Sequence, residues 1–243
     1  TSSHCDWSSD VCSSDLKVAT PRRAASIVAA EYYGHPTKHL TVIGITGTNG
    51  KTTSASILTS ILTQARYKTA QLGTLGLIAD GFDQQATLTT PDAISLQKTF
   101  SDLRNADFSH IVMEVSSHAL DQYRVADVDF NVAVFTNLTP EHLDYHATLE
   151  SYYQAKLRLF TMLPLESTAV INESDPFGPR MADKSNAPVI SFSKGNGNSI
   201  HFTDLSNSIS GIKGRVSAGQ RTYSIKSDLV GAFNGENILA AVS

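Results

Sequence analysis

An α/β fold, a doubly wound, mostly parallel sheet with a P-loop and a small antiparallel β appendix, is predicted by three features of the sequence. The first is "VIGITGTNGKTTSAS" (residues 42–56), where an apolar, β-branched run passes through a glycine-rich turn into a helical pattern. The second is the alternation of short apolar runs with helical stretches up to residue 193, the pattern of strands joined by crossover helices. The third is a change near Gly195 to short strands with Gly, Asn and Ser turns, ending in "RTYSIKSD". That last stretch reads as an antiparallel appendix on the same domain.

Taken in order, residues 1–16, "TSSHCDWSSDVCSSDL", stand apart. They repeat Ser-Ser-Asp and have neither the basic start nor the apolar core of a signal peptide. They resemble a translated cloning or sequencing adapter and are set aside as a non-native leader. Both cysteines, Cys5 and Cys12, lie there, and nothing downstream can pair with them or complete a zinc site. The cysteine-free remainder suits a cytoplasmic protein. "TPRRAASIVAAEYYGHP" then predicts a helix, with Pro21 near its start and Gly34 after its end. Residues 17–39 are expected to be the last piece of an upstream domain and its linker.

Residues 40–243 are expected to form one central domain. Residues 40–46 read as a buried parallel strand, and Ile57, Leu58, Ile61 and Leu62 mark the helix that follows. Further buried strands are predicted at 110–115, 131–137, 168–172 and 188–193, and helices at 92–106, 149–162 and 176–184. "GAFNGENILAAVS" begins a helix in which the sequence stops, so a fragment is expected. No internal repeat is visible.

Composition sets limits. A chain of 243 residues with 41% hydrophobic content can build one large α/β core and part of another. A net charge of −4 without a Lys/Arg block argues against a nucleic-acid surface. No apolar run is long enough to span a membrane.

The chemistry centres on Gly50-Lys51-Thr52. A strict P-loop, G-x-x-x-x-G-K-[ST], needs glycine at position 45, where this chain has Ile45 between Gly44 and Gly47. The context nevertheless supports a phosphate loop. Strand, turn and helix aim backbone N–H groups and the positive helix end at one point. Lys51 would meet the outer phosphates and the Thr52 hydroxyl would meet Mg²⁺. The competing reading is a plain turn with a solvated lysine. Ligands of open α/β sheets bind at the carboxyl ends of strands. Glu114 stands at one such end, and Asn137, Glu141, His142, Asp144 and His146 stand just beyond another. Glu114 fits the metal carboxylate expected beside a P-loop. His142 alone reads more often as structural or exposed, since Mg²⁺ prefers oxygen ligands. By spacing alone, Lys156 in "SYYQAKLRLF" is a surface lysine snorkelling along its helix, with Tyr152 or Tyr153, Leu159 and Phe160 near the core side. Arg124 reads as a solvated charge.

In this order, "GTNGKTT", "MEVSSHAL", "TNLTPEHLDYH", "YYQAKLRLF" and "GAFNGEN" resemble the central domain of the Mur ligases, specifically the MurE type. These are ATP-dependent enzymes of bacterial cell-wall synthesis. The MurE type adds the third residue of the peptide stem to UDP-N-acetylmuramoyl-L-alanyl-D-glutamate. The resemblance runs from about Lys17 to the end, and it implies roles residue by residue. Gly47, Thr48, Asn49, Gly50, Lys51, Thr52 and Thr53 would hold the ATP phosphates, and Asn234 and Asn237 the adenine end. Thr52 and Glu114 would hold one Mg²⁺, and Glu114 with His142 a second. Lys156 matches a lysine that becomes N-carboxylated and acts near the metals, so Lys51, Glu114, His142 and Lys156 form the catalytic set. Thr89, Thr90, Ser116, Gln122 and Arg124 match the positions that bind the UDP-muramoyl-dipeptide. Leu88 departs from relatives with Asn at its position, so no side-chain contact is carried over there.

The resemblance also implies a downstream domain that selects the incoming diamino acid, L-lysine or meso-diaminopimelate, so the chain alone is not expected to turn over. A cytoplasmic monomer with no nucleic-acid partner is expected. Two alternatives stand beside this reading. One is another ligase of the superfamily, cyanophycin-synthetase-like or folylpolyglutamate-type, against which "EVSSH" and "HLDYH" argue. The other is a non-catalytic nucleotide-binding module, which leaves Glu114, His142 and Lys156 without a role.

Overall fold

The structure is a computed structural model and describes residues 17–82, 84–195 and 199–243. The leader assigned to residues 1–16, with both cysteines, lies outside the described residues. Helix α1 (Pro21–Tyr32) opens with Pro21 in its first turn, where the ring's fixed φ suits a helix and its missing N–H has no intrahelical partner to lose. A 3₁₀ turn (Pro36–His39) leads into strand β1 (Thr41–Thr46). Helix α2 (Lys51–Gln64) follows the glycine-rich loop, then strands β2 (Thr69–Gly73) and β3 (Gly76–Ile78). Helix α3 (Ala93–Asn105), strand β4 (His110–Glu114), helix α4 (Ser117–Asp121) and strand β5 (Val132–Phe135) come next. Helices α5 (Leu143–His146) and α6 (Leu149–Thr161) precede strand β6 (Thr168–Asn172), helix α7 (Gly178–Lys184) and strand β7 (Val189–Phe192). Strands β8 (His201–Ser208), β9 (Gly211–Ala218) and β10 (Arg221–Ser227) lead to helix α8 (Phe233–Val242).

Seven strands form one sheet in the order β3-β2-β4-β1-β5-β6-β7. All neighbours pair in parallel except β2 with β3. The last three strands form the separate antiparallel sheet β10-β9-β8. The doubly wound sheet and its appendix are therefore as predicted, while β2, β3, α4 and α5 are additions.

Successive side chains of a strand face opposite sides, and β1 shows it. Val42 packs with Phe100, Ile111, Phe135 and Phe160 on one face. Ile43 and Ile45 pack with Ala55, Val112, Val134 and Leu239 on the other. Covering both faces explains why these strands read as unbroken apolar runs. Residues 17–39 pack against the sheet domain: Thr37 Oγ1 donates to Asp129 at 2.7 Å, and Arg23 pairs with Asp127. No helix among the described residues is long and apolar enough to cross a membrane.

Candidate active site

Strand order reverses around β1, whose neighbours β4 and β5 belong to the two wings of the sheet. A crevice opens at the carboxyl ends of strands at such a point, and every predicted catalytic residue lies on a segment that follows or ends one of these strands. Ile45, the misfit to the strict loop motif, is a buried residue of β1. The loop proper begins only after Thr46, so its glycines are shifted because the strand runs further. Gly50 precedes α2 with φ +86°, and a Cβ there would come within 2.2 Å of Asn237 Oδ1. Glycine is thus required both by backbone conformation and by contact with α8.

The loop is clamped from β5. Asn137 Oδ1 accepts from Asn49 N at 2.9 Å, while Thr136 Oγ1 donates to Asn49 O at 2.7 Å. Thr48 Oγ1 accepts from Thr139 N at 3.0 Å, and Thr48 N donates to Asn137 O at 2.9 Å. Asn172 Nδ2 supports this layer by donating to Thr136 O at 2.7 Å. Lys51 Nζ folds back onto the carbonyls of Gly47 and Thr48, at 3.0 and 2.7 Å. Burial lowers the Lys51 pKa, partly offset by the nearby Glu114 and Glu141 carboxylates.

Glu114 ends β4 and is fully buried. Thr52 Oγ1 lies 2.9 Å from each of its carboxylate oxygens. Thr74 donates to the same carboxylate from its N–H at 2.9 Å and its hydroxyl at 3.1 Å. Gly73 makes room, for a Cβ there would lie 2.2 Å from Glu114 Oε1. Carboxylate and hydroxyl oxygens beside a phosphate loop fit Mg²⁺, which takes one or two protein ligands and keeps several waters. No cluster of three or more His, Cys, Asp or Glu among the described residues could hold a metal ion. His142 occupies the rim instead. Its side chain is half exposed, 4.0 Å from Glu141, with its ring 5.1 Å from that of His118 and 6.1 Å from that of Tyr152.

Lys156 corrects the snorkelling reading. It is 1% exposed, and its Nζ donates to Gly47 O at 2.7 Å. The amine also sits 4.4 Å from the centre of the Tyr152 ring. Burial pushes its pKa well below the ordinary lysine value, and the Lys51 charge pushes in the same direction. A buried amine biased toward the neutral form is a nucleophile. Tyr152, Tyr153, Leu159 and Phe160 stand three or four positions from Lys156, so helical spacing itself places Lys156 on the core face of α6.

The five residues matched to the dipeptide site form one connected wall. Thr90 Oγ1 donates to Glu114 O at 2.9 Å and accepts from Ser116 N at 3.1 Å. Arg124 donates to Thr90 O at 2.8 Å and, through Nε and Nη2, to Gln122 Oε1 at 3.2 and 2.7 Å. Arg124 is therefore a fixed side chain rather than a free surface charge. Thr89 Oγ1 lies 3.3 Å from Thr74 Oγ1, which joins this wall to the Glu114 carboxylate. Arg124, Gln122, Leu88 and Arg22 line a cleft of about 270 Å³ between α1 and α3. Asn234 and Asn237 are linked to each other at 2.9 Å, and Asn237 O accepts from Ser54 at 3.3 Å. This places α8 against α2 beside the loop.

Thr74, Gly73 and Thr136 are site residues that the sequence did not disclose. "GTLG" after an unpredicted strand was the one local signal for the first two. Residues 45–243 match the family model described as Mur ligase middle domain. A ligase of Geobacter metallireducens, named UDP-N-acetylmuramoyl-L-alanyl-D-glutamate–2,6-diaminopimelate ligase, is 43% identical over 94% of this chain and 46% of its own length. The Nostoc sp. protein of the same name is 43% identical over 90% of this chain and 45% of its own. A solved structure of a ligase so named superposes with a TM-score of 0.81 at 29% identity, covering 94% of this chain and 49% of that one. The chain spans about half the length of the curated relatives it matches.

Proposed function

The chain belongs to the Mur ligase middle-domain family, and on that premise we propose that it is the ATP-binding part of a ligase that extends UDP-N-acetylmuramoyl-L-alanyl-D-glutamate by one diamino acid in peptidoglycan precursor synthesis. The observation that carries this reading is the contact between Thr52, in the first turn of α2, and Glu114, on the wall that continues through Thr90 to Arg124. It joins a nucleotide site to a second site for an anionic substrate. The relatives named for 2,6-diaminopimelate favour that amine over lysine. A cytoplasmic monomer, with residues 17–39 closing an upstream domain, completes the proposal.

The reaction then has two steps. A D-glutamate carboxylate oxygen attacks the γ-phosphorus of ATP, ADP leaves, and an acyl phosphate forms. The amine attacks the acyl carbon, phosphate leaves, and the amine proton passes to solvent or a base. Bound Mg²⁺ would neutralise phosphate charge, with Thr52 and Glu114 as its oxygen donors and His142 and an N-carboxylated Lys156 beside it. Lys51 supplies a positioned cation for the charge that builds on the transferring group. Arg124 presents a guanidinium fork to substrate carboxylate or phosphate. Thr89, Thr90, Ser116 and Gln122 hold the same substrate.

Phosphate release by the full-length protein, with the UDP-muramoyl-dipeptide or the amine omitted in turn, tests the reading. Release should require the dipeptide. Release that ignores it would favour a nucleotide switch.

A further inference from the structure

None of the roles assigned above uses Tyr152, yet several of their side chains meet on it. Tyr152 is 1% exposed. Its ring lies 4.4 Å from Lys156 Nζ, 5.1 Å from the His146 ring and 6.1 Å from the His142 ring. Its hydroxyl lies 3.3 Å from Thr48 Oγ1. Either hydroxyl can donate in that contact. Thr48 Oγ1 also accepts from Thr139 N at 3.0 Å and lies 3.2 Å from Thr139 O.

Tyr152 and Lys156 are four residues apart on α6, hence neighbours on one helix face. The helix therefore grips the loop at two adjacent points, Gly47 through Lys156 and Thr48 through Tyr152. An aromatic face attracts a cation and repels an anion. The ring accordingly seats the ammonium form of Lys156 and turns a carboxylate added to Nζ away from its face.

We propose that Tyr152 is a positioning residue with two separable tasks: its hydroxyl holds Thr48 in place for the nucleotide, and its ring orients the end group of Lys156. The second task rests on the reading of Lys156 given under Proposed function. The added group forms when the neutral amine's lone pair attacks CO₂, making an N–C bond and releasing one proton.

The test uses the full-length protein carrying Y152F, T48V, both together, or Y152L. Apparent KM for ATP, kcat and the ¹³C signal of a lysine carbamate after loading with ¹³C-bicarbonate are measured. Y152F should raise KM for ATP about three- to tenfold through loss of one hydrogen bond. It should leave kcat within about twofold, as expected for loss of binding alone, and keep the carbamate signal. Added to T48V, it should have no further effect, because the two hydroxyls act as one contact. Y152L should lower kcat at least about tenfold without weakening the signal, since a ring that attracts cations and repels anions orients the carbamate but does not favour its formation. Should Y152L fail to fold, Y152M replaces it, keeping bulk without a π face. A wild-type KM in Y152F, full additivity with T48V, or an unchanged kcat in the variant without a ring would overturn the proposal. Failure of the Lys156 reading looks different. Wild-type protein would lack the carbamate signal and Lys156→Ala would be fully active, while the Y152F cycle would still decide the hydroxyl's task.

Discussion

Lys51 and Lys156 donate to the same carbonyl, that of Gly47, from two different helices. Two ammonium groups so placed repel each other, and burial and then the Lys51 charge push the Lys156 pKa down. Lys156→Ala should therefore be nearly inactive in the full-length enzyme while remaining folded, with a short-chain carboxylic acid partly restoring turnover. A circular-dichroism melt beside the activity assay checks both halves. Lys51→Ala should lower turnover at least about a hundredfold, because phosphoryl transfer depends on that positioned charge. Steady-state kinetics decide it, and near-normal turnover would remove the loop from the mechanism. Arg124→Ala should cost about 1.5–3 kcal/mol of binding to the UDP-muramoyl-dipeptide, the value of a charge-assisted contact. Its apparent constant for that substrate should rise far more than that for ATP, and an equal rise in both would place Arg124 elsewhere. The glycines, Lys51, Thr52 and Glu114 were legible as residue types beside a strand and a helix. The burial of Lys156 was signalled by Tyr152 and Phe160 four positions to either side, though its charge pointed the other way. The bonds of Arg124 were not legible, because a side chain's environment is made by segments remote in sequence.

Elements announced themselves where their own patterning was long enough to read. Strand β7, expected to be buried, is an edge strand with Val189 and Ile190 exposed, whereas strands β1, β4, β5 and β6 are buried on both sides and carry continuous apolar runs. Strand β2, "TAQLG", is as buried as they are but has no β-branched run, and β3 has only three residues. Helices α4 and α5, of five and four residues, are too short to show a helical period. Helix α3 begins where predicted, with Asp92 as its N-cap, accepting from Ile94 N and Ser95 N at 3.0 Å each. Burial alone would raise the Asp92 pKa, but the bonds from Ser95 and Ile94 outweigh it and hold the carboxyl below its ordinary value. A depressed folded-state pKa stabilises the fold above the ordinary aspartate range, and that contribution disappears as pH falls through the folded value. Asp92→Ala should destabilise the protein by about 0.5–2 kcal/mol near neutral pH. In urea titrations the deficit should shrink toward acid pH, and a constant deficit would assign it to packing instead.

At the scale of the molecule, two apolar layers sandwich the parallel sheet, and the site lies where its two wings part. Phe100 is wholly buried in the layer that backs β4. Phe100→Ala should cost about 3–5 kcal/mol through lost transfer energy and a residual cavity. Chemical denaturation would measure it, and a cost below about 1 kcal/mol would mean that the layer collapses to fill the gap. From its residues alone the chain determined the fold class, the order of most strands and helices, and the strand–glycine-rich loop–helix that carries Lys51, since these depend on neighbours a few positions apart. Only the tertiary structure decided that Thr52 meets Glu114 across 62 positions and that Lys156 meets Gly47 across 109. Those contacts arise from sheet order and helix packing, which bring together segments whose local patterns carry no record of each other.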